Sequence, residues 1–155
     1  MVESVDTMKS LGGLPARDLI EKIDHLGIAV PSLAEAIPVY ETLLGQSVEH
    51  IEVVEDQMVR TAFFTVGESH FELLEPIDGK GPIGKYLEKR RGGIHHVCLR
   101  VKDIETVLTC YKAAGIRLID ETPREGANNM MVAFVYPAAT GGVLLEVAQC
   151  SRASS

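Results

Sequence analysis

The 155-residue sequence contains no run approaching the roughly 20 consecutive apolar residues that a membrane helix needs. Its first 22 residues also lack the basic start and apolar centre of a secretory signal, because Glu3, Asp6 and Glu21 are interspersed with Lys9 and Arg17. Residues 1–21 read as a flexible extension with helical character around Arg17 to Lys22. Positive charge is scarce too. Fifteen Lys and Arg stand against 22 Asp and Glu, for a formal net charge of −7. A phosphate-backbone binder needs clustered Lys and Arg, so neither nucleic acid nor a membrane is expected as a partner. The cysteines are Cys98, Cys110 and Cys150, an odd number with no CxxC pair. That argues against structural zinc and against a disulfide framework, and it favours a reducing compartment. Cys98 sits in an apolar-rich run and reads as a small buried hydrophobe.

What remains is ordinary for a globular chain, at 46% hydrophobic and 24% charged. The informative feature is that the chain repeats itself. Ile23-Asp24-His25-Leu26-Gly27-Ile28-Ala29-Val30 aligns with Ile94-His95-His96-Val97-Cys98-Leu99-Arg100-Val101 at an offset of 96 − 25 = 71. The same offset pairs Leu33 with Ile104, Tyr40 with Tyr111 and Ala62-Phe63 with Ala133-Phe134. Phe71-Glu72-Leu73 then aligns with Leu145-Glu146-Val147 at 146 − 72 = 74, the three extra residues fitting a longer hairpin loop. Ordered matches of this kind are the mark of an internal duplication.

Each copy reads as strand, helix, strand, strand, strand. Ile23–Val30 and Ile94–Val101 are β-branched-rich runs of strand length. Ser32 is a good N-cap with Glu35 completing a capping box, and Asp103 is the matching N-cap in the second copy. Gly45 and Gly115 stand where the helices stop. Pro38 predicts a bend or a late helix start. Further strands are expected at Ser47–Val53, Val59–Val66 and His70–Leu74, then at Arg117–Asp120, Met131–Tyr136 and Val143–Ala148. Gly67-Glu68 and Thr140-Gly141-Gly142 supply hairpin turns. Ile83–Arg90 reads as a helix between the copies. The organisation is one domain over 22–150, with module one at 22–78, a connecting helix at 82–91, module two at 92–149 and a tail at 151–155.

The duplication places His25 and His96 at one position of each first strand, and Glu72 and Glu146 at one position of each last strand. A pseudo-twofold axis would let all four face one another. A carboxylate amid Phe71, Leu73 and Leu74, or after Val143-Leu144-Leu145, is costly to bury unless paired or coordinated. Two imidazoles and two carboxylates suit a borderline-hard divalent ion such as Co²⁺, Mn²⁺, Ni²⁺ or Zn²⁺. Strand alternation sends Asp24 and His95 away from that site. His50 and His70 read as surface residues.

The segments Ile23–Val30, Phe71-Glu72-Leu73-Leu74-Glu75-Pro76, Gly93-Ile94-His95-His96 and Gly141–Glu146 resemble the methylmalonyl-CoA epimerase family of the vicinal oxygen chelate, or glyoxalase-like, superfamily. The resemblance runs from Lys22 to Gln149. It implies an α+β fold in which two βαβββ modules form a mixed eight-stranded, cup-shaped sheet. It implies metal ligands at His25, Glu72, His96 and Glu146, an acyl-CoA substrate, and 1,1-proton transfer at the carbon between carboxylate and thioester. Glu146 is the candidate for one catalytic base; the second has no obvious place, Glu55 and Gln57 being weak candidates and a metal-bound water the alternative. A homodimer in the cytoplasm, or in the mitochondrial matrix of a eukaryote, is the family expectation.

Several positions depart from the family pattern. Met58 stands where glycine is common, Asn128-Asn129 where Gly-Gly is common, and Met130-Met131 where basic residues are found. Tyr136 replaces a His before proline, and Ala138-Ala139 follow that proline in place of Lys-Ser. Lys85, Lys89, Arg90, Arg91 and Arg124 remain as candidate phosphate binders or as a solvated face. Two alternatives therefore stand beside the epimerase: another metal-dependent glyoxalase-like isomerase or lyase on a different acyl substrate, and a non-catalytic small-molecule binder of the same fold.

Overall fold

The computed structural model describes residues 16–151. Residues 1–15 and 152–155, which hold most of the expected extension and the end of the tail, lie outside the described residues. Where helical character was expected there is a single 3-10 turn, Arg17–Leu19, and the chain then extends directly into β1, Ile20–Ala29. The strand starts before Ile23 because Leu19 and Ile20 have an apolar core to join.

Helix α1, Leu33–Leu44, is capped as its sequence dictates. The Ser32 Oγ accepts the Glu35 N–H at 3.3 Å, and Gly45 ends the helix at φ 65°. The helix starts early and runs through Pro38, within its second turn, where the ring removes only the bond to the Ala34 carbonyl. Strands β2, His50–Val54, β3, Val59–Val66, and β4, Ser69–Pro76, follow. Helix α2, Gly81–Lys89, leads to β5, Gly93–Val101. Helix α3, Ile104–Ala113, begins at Asp103, whose carboxylate accepts both the Thr106 hydroxyl at 2.8 Å and its N–H at 3.2 Å. Those bonds, the hydroxyl's first, hold the Asp103 carboxyl below the usual carboxylate range.

The last strands are β6, Arg124–Glu125, β7, Met130–Val135, and β8, Leu145–Cys150. The strand expected at Arg117–Asp120 is reduced to an isolated bridge between Leu118 and Val135. The Asp120 side chain accepts the Phe134 N–H at 2.9 Å, taking a ladder position that a backbone carbonyl would otherwise fill. The eight strands form one mixed sheet in the order β2-β3-β4-β1-β5-β8-β7-β6, with β1 and β4 parallel. This is the expected α+β arrangement of two βαβββ copies.

The described residues divide into two compact units. One comprises Ile23–Cys98 with Gly126–Asn128; the other takes Leu99–Glu125 and the described residues up to Lys22 and from Asn129. In the first, Ile28 of β1, Val30 just beyond its end, Ala62 and Phe64 of β3 and Leu73 of β4 pack against Leu33 of α1. Strand alternation turns His25 and Gly27, Thr61 and Phe63, and Glu72 to the opposite face. Ala29, Val59, Leu74 and Ile83 form a further cluster beside α2. In the second unit, Ile104, Val107 and Leu108 of α3 pack on Ala133, Val135 and Val147. Tyr111 lies against that core, and burial pushes its phenol above the ordinary range.

Met58, Asn128 and Asn129, which stand where the resemblance leads to glycine, have φ of 53°, 56° and 57°. The left-handed backbone is kept although glycine is gone, at a cost of about 1–2 kcal/mol for a side chain such as Met. No helix among the described residues is long and apolar enough to cross a membrane.

Candidate metal centre

Three of the four candidate ligands come together within the first unit. The parallel register of β1 and β4 sets Gly27 beside Glu72, and His25, two residues earlier, points to the same face. The His25 Nδ1 lies 2.8 Å from Glu72 Oε2. The His25 Nε2 lies 3.0 Å from Nε2 of His96, which β5 supplies, and the two rings meet edge to face at 88°. His25, Glu72 and His96 are only 7–8% exposed, so polar side chains that water would otherwise solvate are held against one another.

Asp24 and His95 do not turn away as alternation suggested. Asp24 Oδ1 is 2.8 Å from His25 Nδ1, and His95 Nδ1 is 3.0 Å from His96 Nδ1. Alternation sets the direction of the Cα–Cβ bond, not the reach of the atoms beyond it. On these contacts the His25 Nδ1, flanked by two carboxylates, carries its hydrogen. His96 Nε2–H then donates to His25 Nε2, and His95 Nδ1–H donates to His96 Nδ1. The hydrogens are assigned from the network of donors and acceptors.

The donor set suits a cation. Two imidazole nitrogens each about 2.0–2.1 Å from one ion stand about 2.9 Å apart when cis in an octahedron; His25 and His96 present theirs at 3.0 Å. Moving the one proton between them from His96 Nε2 to its Nδ1, with His95 Nδ1 then accepting it, turns both Nε2 lone pairs toward that point. Glu72 is placed on the other nitrogen of His25, so its carboxylate would have to leave Nδ1 to join the same ion, with Asp24 remaining there as the orienting partner.

Glu146 belongs to the second unit. Strand β8 sets it opposite Phe134 of β7, just as β4 sets Glu72 opposite Phe63 of β3. It is 7% exposed and followed by buried Val147 and Ala148. Both copies thus bury one carboxylate, on the last strand, opposite a phenylalanine.

Gly27 is a further contributor that the sequence reading passed over. A methyl built on its α-carbon would overlap the His96 ring, lying 2.6 Å from Nε2 and closer still to Cε1 and Nδ1. The ring needs a bare backbone beneath it. A glycine inside an apolar strand is the sequence signal of such a close approach. The other histidines lie outside this network: exposed His50 stacks on Phe63 at 4.2 Å, and His70 sits 3.3 Å from the Asp24 carbonyl. Among the basic candidates, Lys89, Arg90 and Arg91 line a surface hollow with Pro31, Leu87 and Glu88. Arg124 is committed to Asp120 at 3.2 Å and lies over the Phe134 ring.

Residues 24–134 match the family model of the Glyoxalase/Bleomycin resistance protein/Dioxygenase superfamily. The chain is 38% identical over 130 residues to the uncharacterized protein YqjC of Bacillus subtilis, covering 84% of this chain and 93% of that one. It is 36% identical over 138 residues to the mitochondrial methylmalonyl-CoA epimerase of Dictyostelium discoideum, covering 88% and 83%. The crystal structure of methylmalonyl-CoA epimerase from Mycobacterium tuberculosis superposes with a TM-score of 0.81 at 36% identity, over 86% of this chain and 90% of that one. The chain therefore belongs to the Glyoxalase/Bleomycin resistance protein/Dioxygenase superfamily and, within it, is similar to methylmalonyl-CoA epimerases.

Proposed function

We propose that this protein is a metal-dependent epimerase that moves a proton at the α-carbon of methylmalonyl-CoA or a similar acyl thioester. His25, Glu72, His96 and Glu146 would hold one divalent ion, cobalt being the first expectation. The observation that carries the reading is the buried pair of imidazole nitrogens 3.0 Å apart, in a chain whose two copies each bury a matching carboxylate. The similarity to methylmalonyl-CoA epimerases supplies the substrate class.

The bound ion would act as a Lewis acid on the thioester oxygen, where negative charge grows as the α-proton leaves. The residues do the rest. Asp24 fixes the tautomer and orientation of His25 through Nδ1, and His95 would do the same for His96 by accepting from its Nδ1–H in the tautomer that frees Nε2. Glu146 would accept or return the proton on one face of the α-carbon, a general-base role worth about 10²–10⁴-fold in rate. Low exposure of the ligands limits water at the reacting centre, which strengthens each electrostatic interaction there. Lys85, Lys89, Arg90 and Arg91 would be the candidates for the CoA phosphates, the last three lining one surface hollow. A different acyl group is the second reading, favoured by Tyr136, 38% exposed beneath the Arg117 guanidinium at 4.8 Å, where the family has a His.

The test is to measure bound metal in the purified protein and to follow deuterium from solvent into methylmalonyl-CoA. Metal at one equivalent with α-deuteration is the expected result. Tight metal without exchange would reject the substrate, and no metal in the wild type would reject the centre.

A further inference from the structure

The epimerase reading needs two proton-transfer groups, one for each face of the α-carbon, and Glu146 can serve only one. The register of the first unit offers another. Glu52 of β2 lies opposite Thr61 of β3, which lies opposite Leu74 of β4, while Phe63 lies opposite Glu72. Directly opposed residues share a face, and i and i+2 along a strand do too. Glu52 therefore projects from the same face as Thr61, Phe63, Glu72 and His25. The stacking of His50, two residues before Glu52, on Phe63 shows that β2 side chains do turn that way. Two inter-strand spacings of about 4.8 Å separate the backbones of β2 and β4, so two carboxylates reaching inward from them leave room for a small acyl group.

The state of the Glu52 side chain is unusual. Its Oε2 is buried and has no hydrogen-bond partner among the described residues. Leaving such a group unsatisfied is costly, and more so for a charge. Folded proteins keep few such atoms, and a catalytic role is one of the recognised reasons for keeping one. No residue of β3 offers an acid or base on this face, since Val59, Thr61, Phe63 and Thr65 are its members. Glu55 and Gln57 sit in a 3-10 turn beyond the end of β2.

We infer that Glu52 is the second proton-transfer carboxylate of the epimerase, which rests on the function proposed above. In one direction the α C–H bond breaks, its proton forms an O–H bond on Glu52, and its electron pair delocalises onto the thioester carbonyl. Protonated Glu146 then gives its proton to the opposite face, forming the new C–H bond. In the reverse direction the two residues exchange tasks. One C–H bond is broken and one formed, and no oxidant or reductant is needed.

The test uses the full-length, metal-loaded protein and the two separate epimers of methylmalonyl-CoA in deuterated water. Glu52→Gln is expected to keep wild-type metal content and melting temperature. It should lose epimerisation by 100-fold or more, and stop α-exchange of one epimer only. The other epimer should still exchange, with its configuration retained, because Glu146 can remove and return a proton on its own face. Glu52→Asp, one methylene shorter, should slow exchange of the same single epimer, and it carries the test should the amide variant fail to fold. Wild-type epimerisation in Glu52→Gln, or loss of exchange in both epimers alike, overturns the assignment while leaving the epimerase reading intact. Absence of exchange in the wild type overturns the epimerase reading and this assignment with it.

Discussion

Gly27→Ala separates the proposed metal centre from the fold more cleanly than removal of a candidate ligand. The backbone at Gly27 lies outside the left-handed region, so alanine meets no conformational penalty there, and it gains about 0.5–1 kcal/mol over glycine from the unfolded chain. The penalty is local. The new methyl would stand 2.6 Å from His96 Nε2, whereas ordinary contacts lie at about 3.5–4.0 Å. The ring must therefore retreat by about 1 Å or more, several times the ±0.2 Å or so within which metal–ligand distances hold. Disturbing even an outer partner of a ligand lowers metal affinity about 10–100-fold. Displacing the ligand ring itself should do at least that, equivalent to about 1.4–2.7 kcal/mol. Overpacking of the fold typically adds about 1–3 kcal/mol, partly offset by the glycine term. Competition with a chelator of known affinity measures the first quantity, and thermal unfolding of the metal-free protein measures the second. Metal affinity equal to wild type in a folded Gly27→Ala protein would refute both the position of His96 over Gly27 and its role as a ligand.

Other expectations follow from the same structure. Glu146→Gln should lower α-deuteration of methylmalonyl-CoA by about 10²–10⁴-fold, the range for a lost general base; full activity would remove Glu146 from that role. Phe64→Ala, which empties a fully buried site of the first core, should cost about 3–5 kcal/mol in denaturant unfolding. That is a large share of a typical total of about 5–15 kcal/mol. The Asp103 carboxyl is held low in the folded state, so its stabilising effect is present at neutral pH and is lost as pH falls through that lowered value. The melting-temperature gap between wild type and Asp103→Ala should therefore close on acidification, while Asp103→Ser, whose hydroxyl cap does not titrate, should keep its gap over the alanine variant.

Much of the architecture was legible before any coordinates. The repeat placed both helices between the right strands, because Ser32 and Asp103 are capping residues whose side chains have one good use at that position. The strand at Val59–Val66 was readable to its ends, being apolar and closed by Gly67. The Arg117–Asp120 strand was not, since its sequence carries no sign that the Asp120 carboxylate enters the ladder in place of backbone. The start of β1 was not legible either, because Ile20, next to Leu19, becomes strand only through the core it meets.

For the candidate site the division is similar. Sequence alone picked out the candidate ligands by position: His25 and His96 on matched first strands, Glu72 and Glu146 on matched last strands. That inference needs only the fidelity of a duplication and the cost of burying a carboxylate. Tertiary structure decided what each of them touches. It put Asp24 on His25 and His95 on His96, slid the bare backbone of Gly27 beneath the His96 ring, and set Glu52 across from Thr61. A period of two residues tells which face a side chain leaves from, and nothing about how far it reaches or which strand lies beside it. Register between β2 and β3, and the approach of β5 to β1, are set by packing over the whole sheet, so these partners became visible only in the folded chain.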